Sequence, residues 1–400
     1  MPFSCGRKLG LAITIAIGLT SATWGEPPFF VGLGHLYPDG VETEPFGLSA
    51  DGSTVVGASR NGPEHGSFRW TRAAGMVDFD DLAGGPRSGL LFGAADGGIL
   101  VGGSRDGPFR WTPESGLERL SIASGNAYAA SPDGSIVVGE IGARAFRWTA
   151  ATGVVMLETP PGPVSHAAAY GASADGAVIV GHVDFGNTHS EAVRWTATGE
   201  LVNLGIPNAG ATAVSADGST IVGFTWAGDS FRWTFDGGVE WLDDYGGYSE
   251  AWAVSGDGSV VVGGYSGHGD DYVSDAGVWL PEAGFWDLWS YIFVETGLAE
   301  EWWLRYANGV STDGRTIVGK ALSPDGLSEQ PYLVYLGGGC GTPGDVNRDG
   351  VVDSLDLARV LTNYGRSYPV YPFHGDVNRD GRVNLPDVAE LLAHFGAACR

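Results

Sequence analysis

Short apolar runs alternate with Gly-containing turns between residues 29 and 336, and one unit recurs along this stretch. Its clearest copy reads Ser-Ala-Asp-Gly-Ser-Thr-Val-Val-Gly, from Ser49 to Gly57. In seven copies a Val lies five residues and a Gly six residues after the Asp of an Asp-Gly pair: Asp51, Asp96, Asp133, Asp175, Asp217, Asp257 and Asp313. Successive copies are 37 to 56 residues apart and mostly near 42, which is the length of one propeller blade.

Each unit predicts four short strands. Asp-Gly between two apolar runs indicates a hairpin, because Gly accepts the positive φ that the turn needs. A third strand carries Arg-Trp-Thr, as at residues 69–71, and a Gly turn opens a fourth, as at residues 201–204. The seventh unit ends after its third strand, near Leu336, while a strand without partners of its own, residues 29–34, precedes the first unit. We therefore predict a mainly β fold, a seven-bladed β-propeller over residues 26–337 closed by that N-terminal strand, with an open β-solenoid as the alternative.

The recurring residues have structural roles in this prediction. A Trp at one position per unit indicates packing between neighbouring sheets, and the recurring Asp suits a turn in which it binds its own backbone. After the sixth unit, residues 285–294 predict a short amphipathic helix, followed by Trp302 and Trp303. A sugar-stacking surface is the alternative for these tryptophans. The nearby Asp270, Asp271 and Asp275 are expected in a solvated loop, with cation binding as the alternative.

Composition and the N-terminus bear on compartment and partners. The formal net charge of −25 disfavours binding to nucleic acid or anionic lipid. Arg7 and Lys8 precede an apolar run too short to span a bilayer, so residues 1–25 are predicted to be a signal peptide of a secreted protein, with a buried helix as the alternative. Cys340 and Cys399 would then form a disulfide across the C-terminal segment, after a Gly-rich linker at residues 338–344.

Two twelve-residue segments near the C-terminus have the spacing of calcium-binding loops. Each places oxygen side chains at positions 1, 3, 5, 9 and 12, Gly at position 6, and a residue that offers its backbone carbonyl at position 7. The first predicted calcium site is Asp345, Asn347, Asp349, Val351, Asp353 and Asp356; the second is Asp376, Asn378, Asp380, Arg382, Asn384 and Asp387. Because the first loop has four Asp ligands and the second three, we expect the second to bind calcium more weakly.

A helix is expected after each loop, at residues 355–364 and 385–395. The predicted apolar sides carry these residues: Leu357, Val360, Leu361, Val388, Leu391, Leu392 and Phe395. A unit of about fifty residues needs a metal or a disulfide to be stable.

Both parts of the chain resemble known families. Forms such as Ala145-Phe146-Arg147-Trp148-Thr149 resemble the extracellular HAF repeats, which implies a secreted propeller-like architecture without an assigned site. The two loops end in Asp, lack a preceding helix, and closely resemble a type I dockerin over residues 345–396. That resemblance implies two calcium ions and a cohesin-like partner. It also implies that the residues before the last ligand select the cohesin, here Ser354 with Leu355 and Leu385 with Pro386.

Three classes of function are compatible with these features. A secreted non-catalytic binding protein tethered through its dockerin is preferred. A carbohydrate-active enzyme, a hydrolase or lyase, is the first alternative, and it would need two carboxylates about 5 to 10 Å apart in the mouth of the ring. A structural or adhesive surface protein is the second. The eight histidines show no metal-ligand spacing and no Ser or Cys nucleophile is evident, so no catalytic residue is assigned.

Overall fold

The computed structural model describes residues 28–37, 42–61, 64–81, 89–186, 189–242, 247–266, 275–281, 284–299, 301–337, 344–347, 350–367, 374–378 and 380–398. Several predicted features lie outside these residues: the signal peptide, residues 338–343 of the linker, Asp270, Asp271, Asp349, and both cysteines of the predicted disulfide. In the described part, no helix is both long and apolar enough to cross a membrane.

Twenty-eight strands are present in the described residues before the C-terminal module. In chain order they are β1 Phe29–Gly32, β2 Glu42–Leu48, β3 Thr54–Asn61, β4 Glu64–Thr71, β5 Gly75–Asp78, β6 Leu90–Ala95, β7 Ile99–Ser104, β8 Gly107–Thr112, β9 Gly116–Arg119, β10 Gly125–Ala130, β11 Ile136–Ile141, β12 Arg144–Thr149, β13 Gly153–Met156, β14 His166–Ala172, β15 Val178–Asp184, β16 Ser190–Thr196, β17 Leu201–Pro207, β18 Ala209–Val214, β19 Thr220–Thr225, β20 Ser230–Thr234, β21 Gly238–Trp241, β22 Ser249–Val254, β23 Val261–Tyr265, β24 Asp275–Leu280, β25 Gly284–Asp287, β26 Trp303–Val310, β27 Thr316–Leu322 and β28 Glu329–Tyr335. Short 3-10 turns follow β5, at Phe79–Asp81, and β6, at Asp96–Gly98.

The strands form a mainly β, propeller-like body of four-stranded groups. Five separate sheets run in chain order, from β6-β7-β8-β9 to β22-β23-β24-β25. A sheet of eight strands joins the two ends of the body in the order β26-β27-β28-β2-β3-β4-β5, with β1 also on β28. Strand β1 pairs antiparallel with β28 from Phe29↔Tyr335 to Gly32↔Tyr332, whereas β2 meets β28 only at Glu42↔Glu329. The N-terminal strand therefore completes a four-stranded group with β26, β27 and β28.

The first strand of each group faces the interior of the body. Strands β2, β6, β10, β14, β18, β22 and β26 contact one another in series, and β26 returns to β2. Neighbouring groups pack through apolar residues, and the recurring Trp takes part in this packing. The fully buried Trp195, for example, lies in one core cluster with Ile179 of its own sheet and with Ile136 and Ala145 of the preceding sheet.

The turn between the first two strands is built from the recurring Ser and Asp. In the copy at residues 215–220, the Ser215 hydroxyl donates to Asp217 at 2.6 Å and accepts from the Thr220 N–H at 3.0 Å. Asp217 also accepts from the Ser219 N–H at 2.9 Å. Six of the seven copies have this arrangement; the copy at Asp96 has alanines, Ala94 and Ala95, before the Asp and so lacks the serine hydroxyl.

Helix α1, Leu288–Thr296, lies in the insertion after the sixth unit. Asp287 caps its start by accepting from the Ser290 N–H at 2.7 Å, and Gly297 ends it at a φ of +73°. The predicted helix begins too early, because residues 284–287 instead extend the sheet as β25. Leu288 and Ile292 are buried, so the helix packs against the body as part of its core.

The C-terminal module contains helices α2, Ser354–Thr362, and α3, Leu385–Ala393. Each loop pairs with the segment that follows the helix of the other loop, through the bridges Val351↔Ala398 and Ser367↔Arg382. The core is small, and its buried residues come from loops as well as helices: Val346, Val352, Val360, Val383 and Leu391.

The predicted apolar faces of these two helices are partly wrong. Leu361, Leu392 and Phe395 were expected to face the core, but they are 55%, 52% and 49% exposed. Valines from the two loops fill the space between the helices, so each helix buries only a narrow stripe around Val360 or Leu391.

Candidate functional site

The first loop of the module closes around the carboxylate of Asp356, its last predicted ligand. This side chain is fully buried and accepts from the backbone N–H of Asn347 at 2.9 Å and of Asp353 at 2.8 Å. Asp345 accepts from the N–H of Gly350 at 3.1 Å, and Gly350 has a φ of +89°, which explains the glycine at position 6. The predicted ligands at positions 1, 3, 9 and 12 are thus joined in one loop.

The second loop repeats this geometry 31 residues later. The buried Asp387 accepts from the N–H groups of Asn378 at 3.1 Å and Asn384 at 2.8 Å, and Asp376 accepts from the N–H of Gly381 at 3.0 Å. In both loops the last ligand also belongs to a capping box at the start of the following helix. The same carboxylate therefore closes the loop and begins the helix.

Three carboxylates of the second loop converge. One oxygen from each of Asp376, Asp380 and Asp387 lies within 4.8 Å of the others. The pKa of Asp376 is raised, first because burial removes water from the carboxylate and then because Asp387 and Asp380 carry like charges beside it. Among the described residues, the groups that shift the pKa of Asp376 are backbone N–H groups and these carboxylates. No Lys or Arg side chain of the described residues is among them.

This donor set suits a hard cation. Carboxylate oxygens, with the backbone carbonyl of position 7, Val351 or Arg382, are the ligands that calcium takes in loops of this spacing. A cation would also relieve the repulsion that raises the pKa of Asp376. The residues present therefore fit calcium, although the full coordination of the first loop includes Asp349, outside the described residues.

The predicted partner-recognition residues lie on the surface at the start of each helix. Ser354, Leu355, Leu385 and Pro386 are all exposed. Beyond them, two further large, mainly apolar side chains are exposed for each helix at equivalent positions, one in the helix and one just after it, and we call these four residues the docking patch: Leu361, Tyr364, Leu392 and Phe395. The helical pattern of the sequence predicts Leu361, Leu392 and Phe395 in the core, and so it does not predict this patch.

A second candidate site lies at the centre of the body. A cavity of about 790 Å³ is lined by residues of all seven first strands. Each first strand has a β-bulge against its second strand, and the bulged residue lines the cavity in every case: Phe46, Phe92, Tyr128, Tyr170, Thr212, Trp252 and Asn308. Because a bulge redirects a side chain, the repeat aims one residue per unit at the cavity. In six units this position lies three residues before the turn Ser and could have been read from the repeat alignment; in the unit at Asp96 it lies one residue closer to the Asp.

Aromatic rings form a continuous series at the cavity, which we call the aromatic arc; all of its members except His182 line the cavity. Neighbouring ring centroids are 5.1 to 6.0 Å apart in the order Phe46, Phe92, Tyr128, Tyr170, His182, Trp226, Phe224 and Trp252. Trp226 and Trp252 are 47% and 37% exposed, so their faces are accessible. The remainder of the wall is more polar and includes Glu44, Tyr306 and Asn308.

The two carboxylates that line the cavity are engaged by neighbouring groups. Glu44 accepts from Lys320 at 3.2 Å and from Tyr306 at 3.4 Å. Glu250 accepts from Tyr248 at 3.0 Å and from the Trp252 indole at 3.2 Å. Burial raises the pKa of Glu250 despite these donors. The described cavity thus pairs aromatic faces with hydrogen-bonded acids.

Comparisons with known proteins bear on the C-terminal module. The family described as "Dockerin type I domain" matches residues 343–396. Type I dockerin domains bind calcium, and the match supports docking to cohesin-like partners. No curated protein matches the chain. One similar solved structure, "Crystal Structure of Mitotic Checkpoint Complex", is 13% identical with a TM-score of 0.47, over 83% of this chain and 99% of that chain.

Proposed function

We propose that this chain is a secreted, non-catalytic binding protein that docks to a cohesin-like partner through a C-terminal module folded around two calcium ions. The observation that carries the proposal is the paired loop geometry, in which Asp356 and Asp387 each close a loop and begin a helix. A metal that organises the loops also fixes the helices.

The docking patch is the surface of the C-terminal module that we propose contacts the partner. Its four apolar side chains are arranged as two equivalent pairs, Leu361 with Tyr364 and Leu392 with Phe395. Exposed apolar residues in a group, beside the recognition pairs Ser354–Leu355 and Leu385–Pro386, suit a protein partner. Because the two recognition pairs differ, we propose that one helix contributes more than the other to a given complex.

A binding experiment tests docking directly. The full chain is titrated against a purified type I cohesin module with calcium and then with EGTA. We expect binding with calcium only, a loss of about tenfold or more in one of L361D and L392D, and a larger loss in the double variant. L327D is the matched control, because Leu327 is an equally apolar residue, 85% exposed, on the body. Wild-type binding by the double variant would contradict the docking surface.

For the body, we propose a seven-bladed propeller whose central cavity binds a carbohydrate. The support is the aromatic arc, because aromatic faces pack against the apolar faces of sugar rings while the polar part of the wall can bind hydroxyl groups. The hydrogen bonds made by Glu44 and Glu250 favour binding over hydrolysis, since an acid and a base for glycoside cleavage must be available to the substrate.

A glycan array with the full chain tests this part. We expect W226A and W252A to weaken binding of any retained glycan by about tenfold or more. W286A is the matched control, because Trp286 is 37% exposed, like Trp252, but lies on β25 away from the cavity lining. Release of reducing ends from a retained glycan would instead support the enzyme alternative.

A further inference from the structure

Two histidines and an aspartate converge on one hairpin of the body. In β15, His182 and Asp184 are two residues apart and so share a face of the strand. The register pairs Asp184 with His166 of β14, which places His166 on that face too. His182 faces Ala168 across the hairpin, and the small side chain leaves room for the imidazole to turn towards His166.

The three facing atoms form a compact triangle. His166 Nδ1 is 3.2 Å from His182 Nε2, His182 Nε2 is 3.4 Å from Asp184 Oδ2, and His166 Nδ1 is 3.8 Å from Asp184 Oδ2. Zinc bonds of 2.0 to 2.2 Å in a tetrahedron give ligand–ligand edges of about 3.3 to 3.6 Å. The triangle therefore has nearly the size of one face of a zinc coordination tetrahedron.

A neighbouring unit fixes the orientation of His166. Its Nε2 lies 2.5 Å from Glu140 Oε2 on β11, and the other oxygen of Glu140 accepts from the Tyr128 hydroxyl at 2.9 Å. When His166 Nε2 donates its proton to Glu140, Nδ1 presents a lone pair to the triangle. A carboxylate that holds the outer nitrogen of a metal-binding histidine is the usual outer-shell arrangement.

The atoms of the triangle present lone pairs to one another, and a shared positive charge would stabilise this arrangement. His166 Nδ1 and Asp184 Oδ2 are both acceptors, and they face the Nε2 of His182, a residue only 5% exposed. A single proton on His182 Nε2 could serve one of these acceptors well, whereas a cation satisfies all three atoms. Imidazole ligands select a transition metal over calcium, which takes oxygen ligands.

We propose that His166, His182 and Asp184 bind a divalent transition-metal ion of the zinc class next to Tyr170 and Trp226, two residues that line the central cavity. Three protein ligands leave a fourth position for water or another ligand. His182 belongs to the aromatic arc, with Tyr170 stacked on it at 5.4 Å and Trp226 edge-on at 6.0 Å. The site thus lies against two residues of the cavity lining, and it does not depend on the C-terminal module.

Cobalt(II) is the probe for this site, because its absorption spectrum reports coordination number and the nature of the ligands. The full chain, kept in excess calcium to occupy the C-terminal loops, is titrated with CoCl₂, and zinc is then added as competitor. We expect one cobalt ion per chain with intense visible bands, displaced by zinc. H166Q and D184N should lose these bands, and E140Q should retain them with affinity weakened about ten- to hundredfold.

H189Q is the matched control, since His189 is a half-exposed histidine in the loop between β15 and β16 that stacks on Phe185 outside the triangle. Circular dichroism of each variant establishes that the body is folded. Equal cobalt binding by wild type, H166Q and D184N would overturn the proposal, as would the absence of cobalt bands in the wild type. The latter result would indicate a triangle held by one shared proton.

Discussion

The carboxylate of Asp387 accepts a hydrogen bond from the backbone N–H of Asn378 at 3.1 Å, so the last ligand of the second loop is held against its third position. The same carboxylate accepts from Val377 at 2.7 Å and from Asn384 at 2.8 Å. Removing it would therefore affect both the loop and the helix that starts beside it.

We expect D387A to eliminate calcium binding at the second loop and to destabilise the module. The loss includes a calcium ligand and leaves three backbone N–H groups without their acceptor, at about 1 to 3 kcal/mol for each group that stays buried. Isothermal titration of the full chain should show one calcium step instead of two. E390Q removes an acid from the same helix outside the loop and should retain both steps.

The two calcium sites should differ in affinity. The first loop has four Asp ligands and the second has three, because Asn384 occupies the position equivalent to Asp353. N384D restores the fourth carboxylate, so we expect it to bring the weaker affinity towards the stronger one. Titration calorimetry of wild type and N384D measures this; equal affinities in the wild type, or a weaker site in N384D, would contradict the ligand-charge argument.

Lys320 is the buried cation that joins the two ends of the body. Its ammonium lies 2.8 Å from Glu329 and 3.2 Å from Glu44, and its side chain is 7% exposed. Burial alone would lower the pKa of Lys320, but these carboxylates raise it overall. We expect K320M to lower the free energy of unfolding by about 1.5 to 3 kcal/mol, because Glu44 and Glu329 lose a charged donor while Glu329 keeps Arg305 at 3.3 Å.

Urea denaturation of the full chain measures this loss. R60M is the control, since Arg60 pairs with Glu42 at 3.8 Å on the surface and should contribute only about 0 to 1 kcal/mol. A similar loss of unfolding free energy in both variants would mean that the ion pairs of Lys320 stabilise the fold no more than a surface ion pair does.

The Ser–Asp turns should make the free energy of unfolding depend on pH in the acidic range. Donation by Ser215 and by the Ser219 N–H lowers the pKa of Asp217 below its ordinary value. A group with a lowered folded-state pKa stabilises the fold above its unfolded-state pKa, and that contribution is lost as the pH falls through the folded value. Acid destabilisation below about pH 4 is therefore expected.

S215A tests this turn. It should raise the pKa of Asp217 towards the ordinary value, measured by NMR, and cost about 1 to 3 kcal/mol because the buried Thr220 N–H loses its acceptor. S219A, in the same turn, removes an exposed hydroxyl and leaves the Ser219 N–H in place. An unchanged Asp217 pKa in S215A would show that the Ser215 hydroxyl does not set it and that the Ser219 N–H and hydroxyl do.

The strand arrangement of the body could be predicted from the sequence because its unit repeats. Seven Asp-Gly turns gave the four-strand units, and the missing last strand pointed to residues 29–34, where β1 pairs with β28. The loop spacing likewise indicated the carboxylates that each loop brings together, such as Asp376 and Asp387. These features depend on short-range patterns, in which turn geometry and ligand order follow directly from neighbouring residues.

Features created by contacts between distant residues were not predicted. His166 and His182 are 16 residues apart, and only the register of the β14–β15 hairpin brings them together with Asp184. His182-x-Asp184 on one strand was the available signal. Leu361 and Leu392 were placed in the core because a helical pattern shows an apolar stripe but not which part of it the loop valines cover.

Hydrogen exchange of the full chain, followed by mass spectrometry in calcium and in EGTA, tests most directly whether calcium folds the C-terminal module. We predict that amides of α2 and α3 lose protection in EGTA while strands such as β15 and β27 keep theirs. Equal protection of α2 and α3 in both conditions would contradict a calcium-dependent module and, with it, calcium-dependent docking.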